Sequence, residues 1–272
     1  MSYPQIGMID QVKALAEADE RISALLMYGS FIKGEGDKFS DIEFYIFHRE
    51  DFDHRAWVEQ VRPLKMYFVN EFGTEVALFD NFIRGEFHFS SIEEIEVVKS
   101  WEGLTSFEHA GNMNLVDKDG RLEKILAGIS RIRPVHGDQA RIDWLAQSFL
   151  NNLILIHNVV KRGDHAHAQQ CFQLLLKYLM WLIRLADGAD THWENPSKNF
   201  ADEISPANYA SYVTCVPDLD PDNLARALKA SALMAGRLFS ALNVSAEIAL
   251  VLDQFNEWEA SSGTMPRLCF VD

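Results

Sequence analysis

The sequence predicts two parts: an α/β (α+β) part built on a mixed sheet, followed by an all-α helical bundle. Up to about residue 132, short runs rich in Val, Ile, Phe and Tyr alternate with turn residues, which is typical of β-strands. From Ala140 onward, apolar residues recur at helical spacing instead. At 272 residues, the chain also exceeds the size at which single cores usually stop growing. We therefore predict one domain over residues 1–132 and another over residues 133–272.

The elements are predicted from apolar periodicity and from turn and cap residues. In the first part, strands are predicted at Ala24–Tyr28, Ile42–Phe47, Lys65–Asn70, Thr74–Phe79 and Phe82–Phe89, and helices at residues 8–20, Ala56–Val61 and Leu122–Ile132. Trp101–Asp119 is predicted to be irregular. In the second part, helices are predicted at Ile142–Lys161, Ala166–Ala186, Pro206–Cys215, Asp222–Leu242 and Ser245–Glu259.

Composition excludes several classes of partner. The chain has 25 basic and 40 acidic residues, a formal charge of −15, and no extended Lys/Arg cluster, so no nucleic-acid partner is expected. An acidic cleft would instead attract a cationic small molecule. The longest apolar runs are too short to span a membrane, and no signal-peptide pattern is present. Cys171, Cys215 and Cys269 form no zinc or disulfide pattern, which fits a reducing compartment. We predict a cytoplasmic protein with no membrane partner.

The stretch Met27–Phe47 carries the most specific chemistry in the sequence. A turn at Gly29 and Ser30 precedes two carboxylates, Asp41 and Glu43, which are two residues apart on a predicted strand. Because side chains alternate along a strand, both carboxylates face the same side. Such a pair suits Mg²⁺, while a glycine lets the backbone approach phosphates closely. Taken singly, the acids could be a solvated sheet face and the Gly-Ser pair an ordinary turn.

In combination, Tyr28–Ser30 followed by Ser40–Glu43 resembles the signature of the nucleotidyltransferase superfamily, which includes DNA polymerase β, kanamycin nucleotidyltransferase and minimal antitoxin nucleotidyltransferases. The resemblance implies a polymerase β-like catalytic domain over residues 1–132. It also implies that Asp41 and Glu43 hold Mg²⁺ and that the enzyme transfers a nucleoside monophosphate with loss of pyrophosphate.

The superfamily normally adds a third carboxylate, for which Glu71, Glu75 and Glu86 are the candidates. Glu86 is preferred because it lies in a polar island, Arg84–His88, inside an otherwise apolar strand. An acid there either faces the site or suffers a desolvation penalty. We predict it to be the general base or third metal ligand; the alternative is a sheet residue paired with Arg84. His88 could bind substrate, support Glu86, or be an ordinary hydrogen-bonded sheet histidine; Glu71 and Arg84 complete the predicted substrate-binding set.

Two lysines are candidates for binding the triphosphate. Lys33 lies in the glycine-containing loop after Ser30, and Lys198 lies in the second part of the chain. Either could neutralise phosphate charge, and either could simply be solvated. With Gly29 and Ser30, they form the predicted nucleotide-binding set.

A longer set of segments narrows the resemblance to the lincosamide nucleotidyltransferases of the LinB type. The segments are Asp19–Ala24, Met27–Phe47, Asn70–Val76, Phe79–Asn81 and Ile83–Phe89, with weaker similarity at Lys161–Gly163, Leu182–Arg184 and Ser197–Asn199. This resemblance implies a homodimer that uses ATP and Mg²⁺ to adenylylate a hydroxyl of lincomycin or clindamycin. It also implies that the helical domain contributes to the drug pocket and to dimerisation.

Two alternative functions remain compatible with the sequence. An aminoglycoside nucleotidyltransferase would also combine an acidic cleft with a cationic drug. An antitoxin-like protein would bind or modify a partner protein, although such chains are usually short and have a single domain.

Overall fold

The computed structural model describes residues 3–102, 107, 109–131 and 135–262. The chain divides into two compact units between residues 134 and 135. The boundary predicted at residues 132 and 133 lies outside the described residues, as does Cys269.

The first unit combines a sheet with short helices. Its elements, in chain order, are α1 (Pro4–Ala18), β1 (Ile22–Met27), β2 (Ile42–His48), α2 (His54–Val58), β3 (Leu64–Val69), β4 (Glu75–Phe79), β5 (Arg84–Ser91), a 3₁₀ helix (Ile92–Trp101), α3 (Ala110–Met113), β6 (Asn114–Asp117) and α4 (Arg121–Gly128). β6 lies within the stretch predicted to be irregular, and there the prediction is wrong. A strand of four residues is too short to show a clear alternation, and it is defined by its pairing with β1.

The strands form one mixed sheet in the order β3-β4-β5-β2-β1-β6. β2 and β5 are parallel, whereas the other four neighbouring pairs are antiparallel. A mixed sheet is what the sequence predicts. The parallel pair lies at the centre of the sheet, so residues more than forty positions apart become neighbours there.

Two apolar layers cover the sheet, one on each face. On one face, Val12 and Ala16 of α1 pack in a cluster with Phe44 and Phe87. On the other face, the 3₁₀ helix, α3 and α4 pack against Phe47 near the end of β2. This second layer leaves the beginning of β2 and β5 half-buried, and the side chains of Glu43, Arg84 and Glu86 lie there.

The second unit consists of helices α5 (Gln139–Lys161), α6 (His165–Asp187), α7 (Phe200–Glu203), α8 (Pro206–Thr214), α9 (Pro221–Ala241) and α10 (Ala246–Ser262). Aspartates cap three of them, because the side chains of Asp138, Asp164 and Asp220 each accept a backbone N–H from the first turn. Phe149 and Leu179 are completely buried in the shared core. No helix among the described residues is long and apolar enough to cross a membrane.

Candidate active site

The turn after β1 brings the backbone against a carboxylate. Gly29 has a φ of +81°, in the left-handed region that disfavours other residues. A Cβ added at Gly29 would lie 1.5 Å from Oε2 of Glu43. The Tyr28 N–H donates to the Glu43 carbonyl oxygen at 3.2 Å, which fixes the strand beside the turn. Position 29 thus needs glycine both for its backbone angle and for the room that Glu43 occupies.

The loop that follows is closed by its own backbone. The Lys33 N–H donates to the Gly29 carbonyl oxygen at 3.3 Å, and the Glu35 N–H donates to that of Ser30 at 2.9 Å. The first of these hydrogen bonds connects the Lys33 backbone directly to the glycine turn. Three of the predicted nucleotide-binding residues, Gly29, Ser30 and Lys33, therefore share one short loop at the end of β1.

The parallel pairing of β2 with β5 brings the acidic residues together. Glu43 lies opposite Glu86, and the preceding residues on the same face are Asp41 and Arg84. Opposite residues on neighbouring strands place their side chains on the same face of a sheet. Asp41, Glu43 and Glu86 therefore form a single group, which we call the carboxylate cluster, and its side chains are half-buried.

Arg84 joins two members of the carboxylate cluster. Its Nη1 donates to Asp41 Oδ2 at 2.6 Å, and its Nη2 donates to Glu86 Oε1. Partial burial lowers the pKa of Arg84, but the hydrogen bond and the charge of Glu86, followed by those of Asp41, outweigh it and raise that pKa. The pairing of Glu86 with Arg84, considered as an alternative to a site role, thus occurs inside the cluster itself.

Tyr28, which contacts His88, binds the other carboxylate oxygen of Glu86. The Tyr28 hydroxyl donates to Glu86 Oε2 at 3.3 Å, and His88 Nε2 lies 2.9 Å from the same hydroxyl. Burial raises the pKa of Tyr28, as do the charges of Glu86 and Glu43, and burial lowers the pKa of His88. Near neutral pH, therefore, Tyr28 keeps its proton and His88 is uncharged. In the tautomer with a proton on Nε2, His88 donates to the Tyr28 hydroxyl, which in turn donates to Glu86.

Tyr28 and Tyr45 also line the site, although neither was predicted as a site residue. The Tyr45 ring stacks on the His88 imidazole with 4.3 Å between ring centroids. A signal was available for both: Tyr45 continues the alternation of Asp41 and Glu43, and Tyr28 directly precedes the glycine turn.

Glu75 lies on the opposite face of the sheet. It pairs with Phe87, the neighbour of Glu86, so its side chain points away from the carboxylate cluster. There it contacts His54 Nδ1 at 2.7 Å and accepts a hydrogen bond from the Tyr67 hydroxyl. Of the three candidates for a third carboxylate, only Glu86 shares the face of Asp41 and Glu43.

Glu71 also lies apart from the cluster. It is exposed in the turn between β3 and β4, whose last pair joins Val69 to Glu75. Because Glu75 lies opposite Phe87 and Leu78 opposite Arg84, the turn before Glu75 lies beyond the level of Phe87, on the side away from Arg84. The structure does not bring Glu71 to Asp41, Glu43 or Glu86.

Lys198, the other predicted phosphate ligand, belongs to the helical unit. Its carbonyl oxygen accepts a hydrogen bond from Nη2 of the buried Arg184 at 2.6 Å. The Lys198 side chain is half-buried in the loop before α7.

The carboxylate cluster offers the ligands that a divalent metal prefers. Carboxylate oxygens from neighbouring strands converge on one face of the sheet. Because Gly29 has no side chain, there is room beside it for the carboxylate of Glu43. In the described parts of the chain, no three His, Cys, Asp or Glu side chains are already arranged to hold a metal ion. Instead, the guanidinium of Arg84 places a positive charge between Asp41 and Glu86. The ligand chemistry thus fits Mg²⁺, and a cationic group already lies between two of the ligands.

Comparison with known proteins gives one family match. A model described as "Lincosamide nucleotidyltransferase-like, C-terminal domain" matches residues 138–259, which lie in the helical unit. No curated protein matches the chain.

Two solved structures resemble the chain over most of its length. An aminoglycoside 6-adenyltransferase from Bacillus subtilis is 14% identical, with 92% of this chain and 96% of that chain covered and a TM-score of 0.43. A nucleotidyltransferase-like protein from Exiguobacterium sibiricum 255-15 is 12% identical, with 86% and 78% covered and a TM-score of 0.33. Both TM-scores are below 0.5, so neither likeness assigns an activity to this chain.

The family match and the carboxylate cluster come from different halves of the chain. The match covers residues 138–259, whereas Asp41, Glu43 and Glu86 lie in the sheet unit. In its helical half, the chain is similar to lincosamide nucleotidyltransferase-like proteins, and this similarity supports a nucleotidyltransferase.

Proposed function

We propose that the protein is a Mg²⁺-dependent nucleotidyltransferase that transfers AMP from ATP to a hydroxyl of a lincosamide and so inactivates the antibiotic. The observation that carries the proposal is the carboxylate cluster beside the glycine turn. Glu86 reaches Asp41 and Glu43 only through the parallel pairing of β2 with β5. The glycine turn at Gly29, which is of a kind that can bind phosphate, lies directly against the Glu43 carboxylate.

The reaction is an in-line displacement at phosphorus. The acceptor hydroxyl oxygen forms a bond to the α-phosphorus of ATP, the bond from that phosphorus to pyrophosphate breaks, and the hydroxyl proton passes to Glu86. The products are an AMP ester of the drug and pyrophosphate. In this scheme, Glu86 acts as the general base, and the backbone of the Gly29–Ser30 turn orients the phosphates.

Asp41 and Glu43, together with Glu86, are the residues that would hold the metal. When bound, a divalent cation supplies positive charge that binds the triphosphate and stabilises the charge developing in the transition state. Tyr28 positions Glu86 by donating to its Oε2.

Two observations favour a lincosamide over an aminoglycoside. The family match in the helical unit is to lincosamide nucleotidyltransferase-like proteins. In the sheet unit, Met66 and Phe68 of the edge strand are 50% and 41% exposed. Through β4 they lie level with Arg84 and Glu86, on the same face and about 10 Å away. An acceptor with an apolar body suits this strip better than a polycationic aminoglycoside does.

The test is to incubate the purified protein with ATP and Mg²⁺ and with each of clindamycin, lincomycin and kanamycin, and to read drug masses. We expect a mass gain of one AMP on the lincosamides. An adduct on kanamycin alone would replace the proposed substrate class. No adduct on any drug, with a partner protein that copurifies in stoichiometric amounts, would favour the antitoxin-like alternative.

Replacing a metal-binding carboxylate should remove activity without unfolding the protein. We expect Asp41→Asn to lower turnover by at least about 100-fold, because outer-shell changes alone cost 10- to 100-fold. Its circular dichroism should match that of the wild type. Asp10→Asn, which changes an exposed aspartate on α1, is the matched control and should keep full activity. Activity retained in Asp41→Asn would refute the metal site.

A further inference from the structure

Arg84 occupies an unusual position for a cation in a predicted metal site. Its guanidinium lies between Asp41 and Glu86 and donates to one oxygen of each. Because Ile42 lies opposite Gly85, Arg84 begins β5 at the level of Asp41. The strand register therefore directs this side chain to the two carboxylates.

The charge balance explains why a cation is needed at this position. Asp41, Glu43 and Glu86 lie on one face of two neighbouring strands, and like charges on adjacent strands destabilise a sheet. A guanidinium has a planar fork that can donate to two carboxylates at once. In the absence of a metal, Arg84 supplies positive charge to two of the three.

The exposure of these groups allows the contact to be exchanged. The Arg84 side chain is 42% exposed, compared with 34% for Asp41 and 20% for Glu86. Ion pairs that water can reach contribute little free energy each, so another cation can replace them at small cost. A completely buried arginine would be far harder to displace.

We propose that Arg84 is the resident counter-cation of the metal site: it occupies the place between Asp41 and Glu86 until a divalent cation displaces it. This inference rests on the proposed function, because it assumes that the carboxylate cluster binds a metal.

A functional consequence concerns Glu86. With Arg84 bound at Oε1 and Tyr28 at Oε2, both of its carboxylate oxygens are engaged. Displacement of Arg84 ends the hydrogen bond at Oε1. A carboxylate oxygen has two lone pairs, so Oε1 can contact the metal and still accept the proton of an acceptor hydroxyl. Glu86 thus becomes available as a base in the same event that assembles the metal site.

A purely structural role for Arg84 would lead to a different effect of its removal on metal affinity. If Arg84 only held the strands together, its removal would leave metal affinity unchanged or lower. If it competes with the metal, its removal raises metal affinity. The direction of the change therefore separates the two roles.

The experiment measures Mn²⁺ binding to the chelator-treated full chain by electron paramagnetic resonance. We expect Arg84→Met to bind Mn²⁺ about 3- to 10-fold more tightly than the wild type, since two exposed ion pairs no longer compete. Without metal, this variant should have a lower melting temperature, because Asp41 and Glu86 lose the guanidinium that bridges them. Mg²⁺ should then raise its melting temperature more than that of the wild type.

Arg62→Met is the matched control, because Arg62 forms an exposed ion pair with Asp80 outside the carboxylate cluster. Its Mn²⁺ affinity and its Mg²⁺-induced shift should equal those of the wild type. If Arg84→Met fails to fold, Arg84→Lys provides the test, because an ammonium group cannot span both carboxylates as a guanidinium does. We expect tighter Mn²⁺ binding in that variant too.

Equal or weaker Mn²⁺ binding in the Arg84 variants would overturn the counter-cation role. If the wild type nevertheless transferred AMP, the proposed function would stand. Metal binding that Asp41→Asn does not weaken would instead refute the metal site itself, and both proposals with it.

Discussion

Each half of the chain contains an arginine that gathers several acceptors, and the two differ in their surroundings. Arg84 in the sheet unit is 42% exposed and bridges two carboxylates. Arg184 in the helical unit is completely buried, and most of its acceptors are backbone carbonyls. Burial among carbonyls makes an arginine a fixed part of the fold, whereas exposure among carboxylates makes it exchangeable.

The Arg184 network shows what a fixed arginine does. Its Nε donates to Pro196 O at 2.9 Å, and its Nη1 donates to Ala189 O at 2.9 Å and to Glu203 Oε2 at 2.5 Å. With the bond to Lys198 O, these contacts fasten the loop between α6 and α7. A buried charge is tolerated here because each nitrogen has an acceptor.

The largest expected effect is on stability, and it comes from Arg184→Met. The substitution keeps most of the side-chain volume but removes the donor to Glu203 Oε2 and to three backbone carbonyls, while His192 still contacts Glu203 Oε1. We expect the free energy of unfolding of the helical unit to fall by about 3–5 kcal/mol, as for a broken buried ion pair. Urea titration followed by circular dichroism measures it.

Arg226→Met, at an exposed position on α9, is the control and should change the unfolding free energy by less than about 0.5 kcal/mol. A loss below about 1 kcal/mol in Arg184→Met would show that Arg184 is as replaceable as a surface arginine. The contrast between the two arginines would then fail.

The second prediction is for the sheet unit, where activity should change more than stability. In Gly29→Ala, the added Cβ would meet Glu43 Oε2 at 1.5 Å, so the carboxylate must move. A displacement of about 1 Å costs about 100-fold in rate, so we expect AMP transfer to fall by that factor. The positive φ should cost about 1–2 kcal/mol of stability.

Gly163→Ala separates the two causes. Gly163 has a φ of +78° at the end of α5, but a Cβ there would meet nothing within 4 Å. This control should lose a similar amount of stability and keep its activity. If both variants lost activity equally, displacement of Glu43 could not be the cause.

The smallest expected effect is that of His157→Phe on the pH dependence of the stability of the helical unit. Burial, followed by the charge of Lys161, lowers the pKa of His157 from its ordinary value of 6.5. Below pH 6.5, His157 therefore binds a proton more readily in the unfolded chain than in the folded one. The contribution of neutral His157 to the free energy of unfolding is complete above pH 6.5 and is lost as the pH falls below that value. We expect the urea midpoint to fall between pH 7.5 and pH 5 less steeply in His157→Phe than in the wild type.

An unchanged slope in His157→Phe would mean that His157 does not couple protonation to folding.

Much of the fold could be predicted from the sequence, because the signals are local. The alternation of apolar residues predicts Ile42–Phe47 as a strand, and β2 is observed at Ile42–His48. Helical spacing predicts Ile142–Lys161, where α5 covers Gln139–Lys161. Three of the missed elements, α3, α7 and β6, have four residues each. Elements of that length form through contacts with distant residues rather than through their own periodicity.

The candidate site was predictable only in part. Asp41, Glu43 and Gly29 are close in sequence, so alternation and turn chemistry suffice to group them. Glu71 was grouped with them by charge and resemblance, yet it lies in the exposed turn between β3 and β4. Without the order of strands, local pattern cannot distinguish a carboxylate on the site face from one at a turn.

By itself, therefore, the sequence determined which residues alternate, where the longer strands and helices form, and that Asp41 and Glu43 share a face. Only the tertiary structure decided that β2 and β5 are parallel neighbours, which sets Glu86 beside Glu43 and Arg84 beside Asp41. It also decided that Arg184 is buried among carbonyls. The reason is physical: side-chain alternation is a property of one strand, whereas register and burial arise from pairing between residues far apart in the chain.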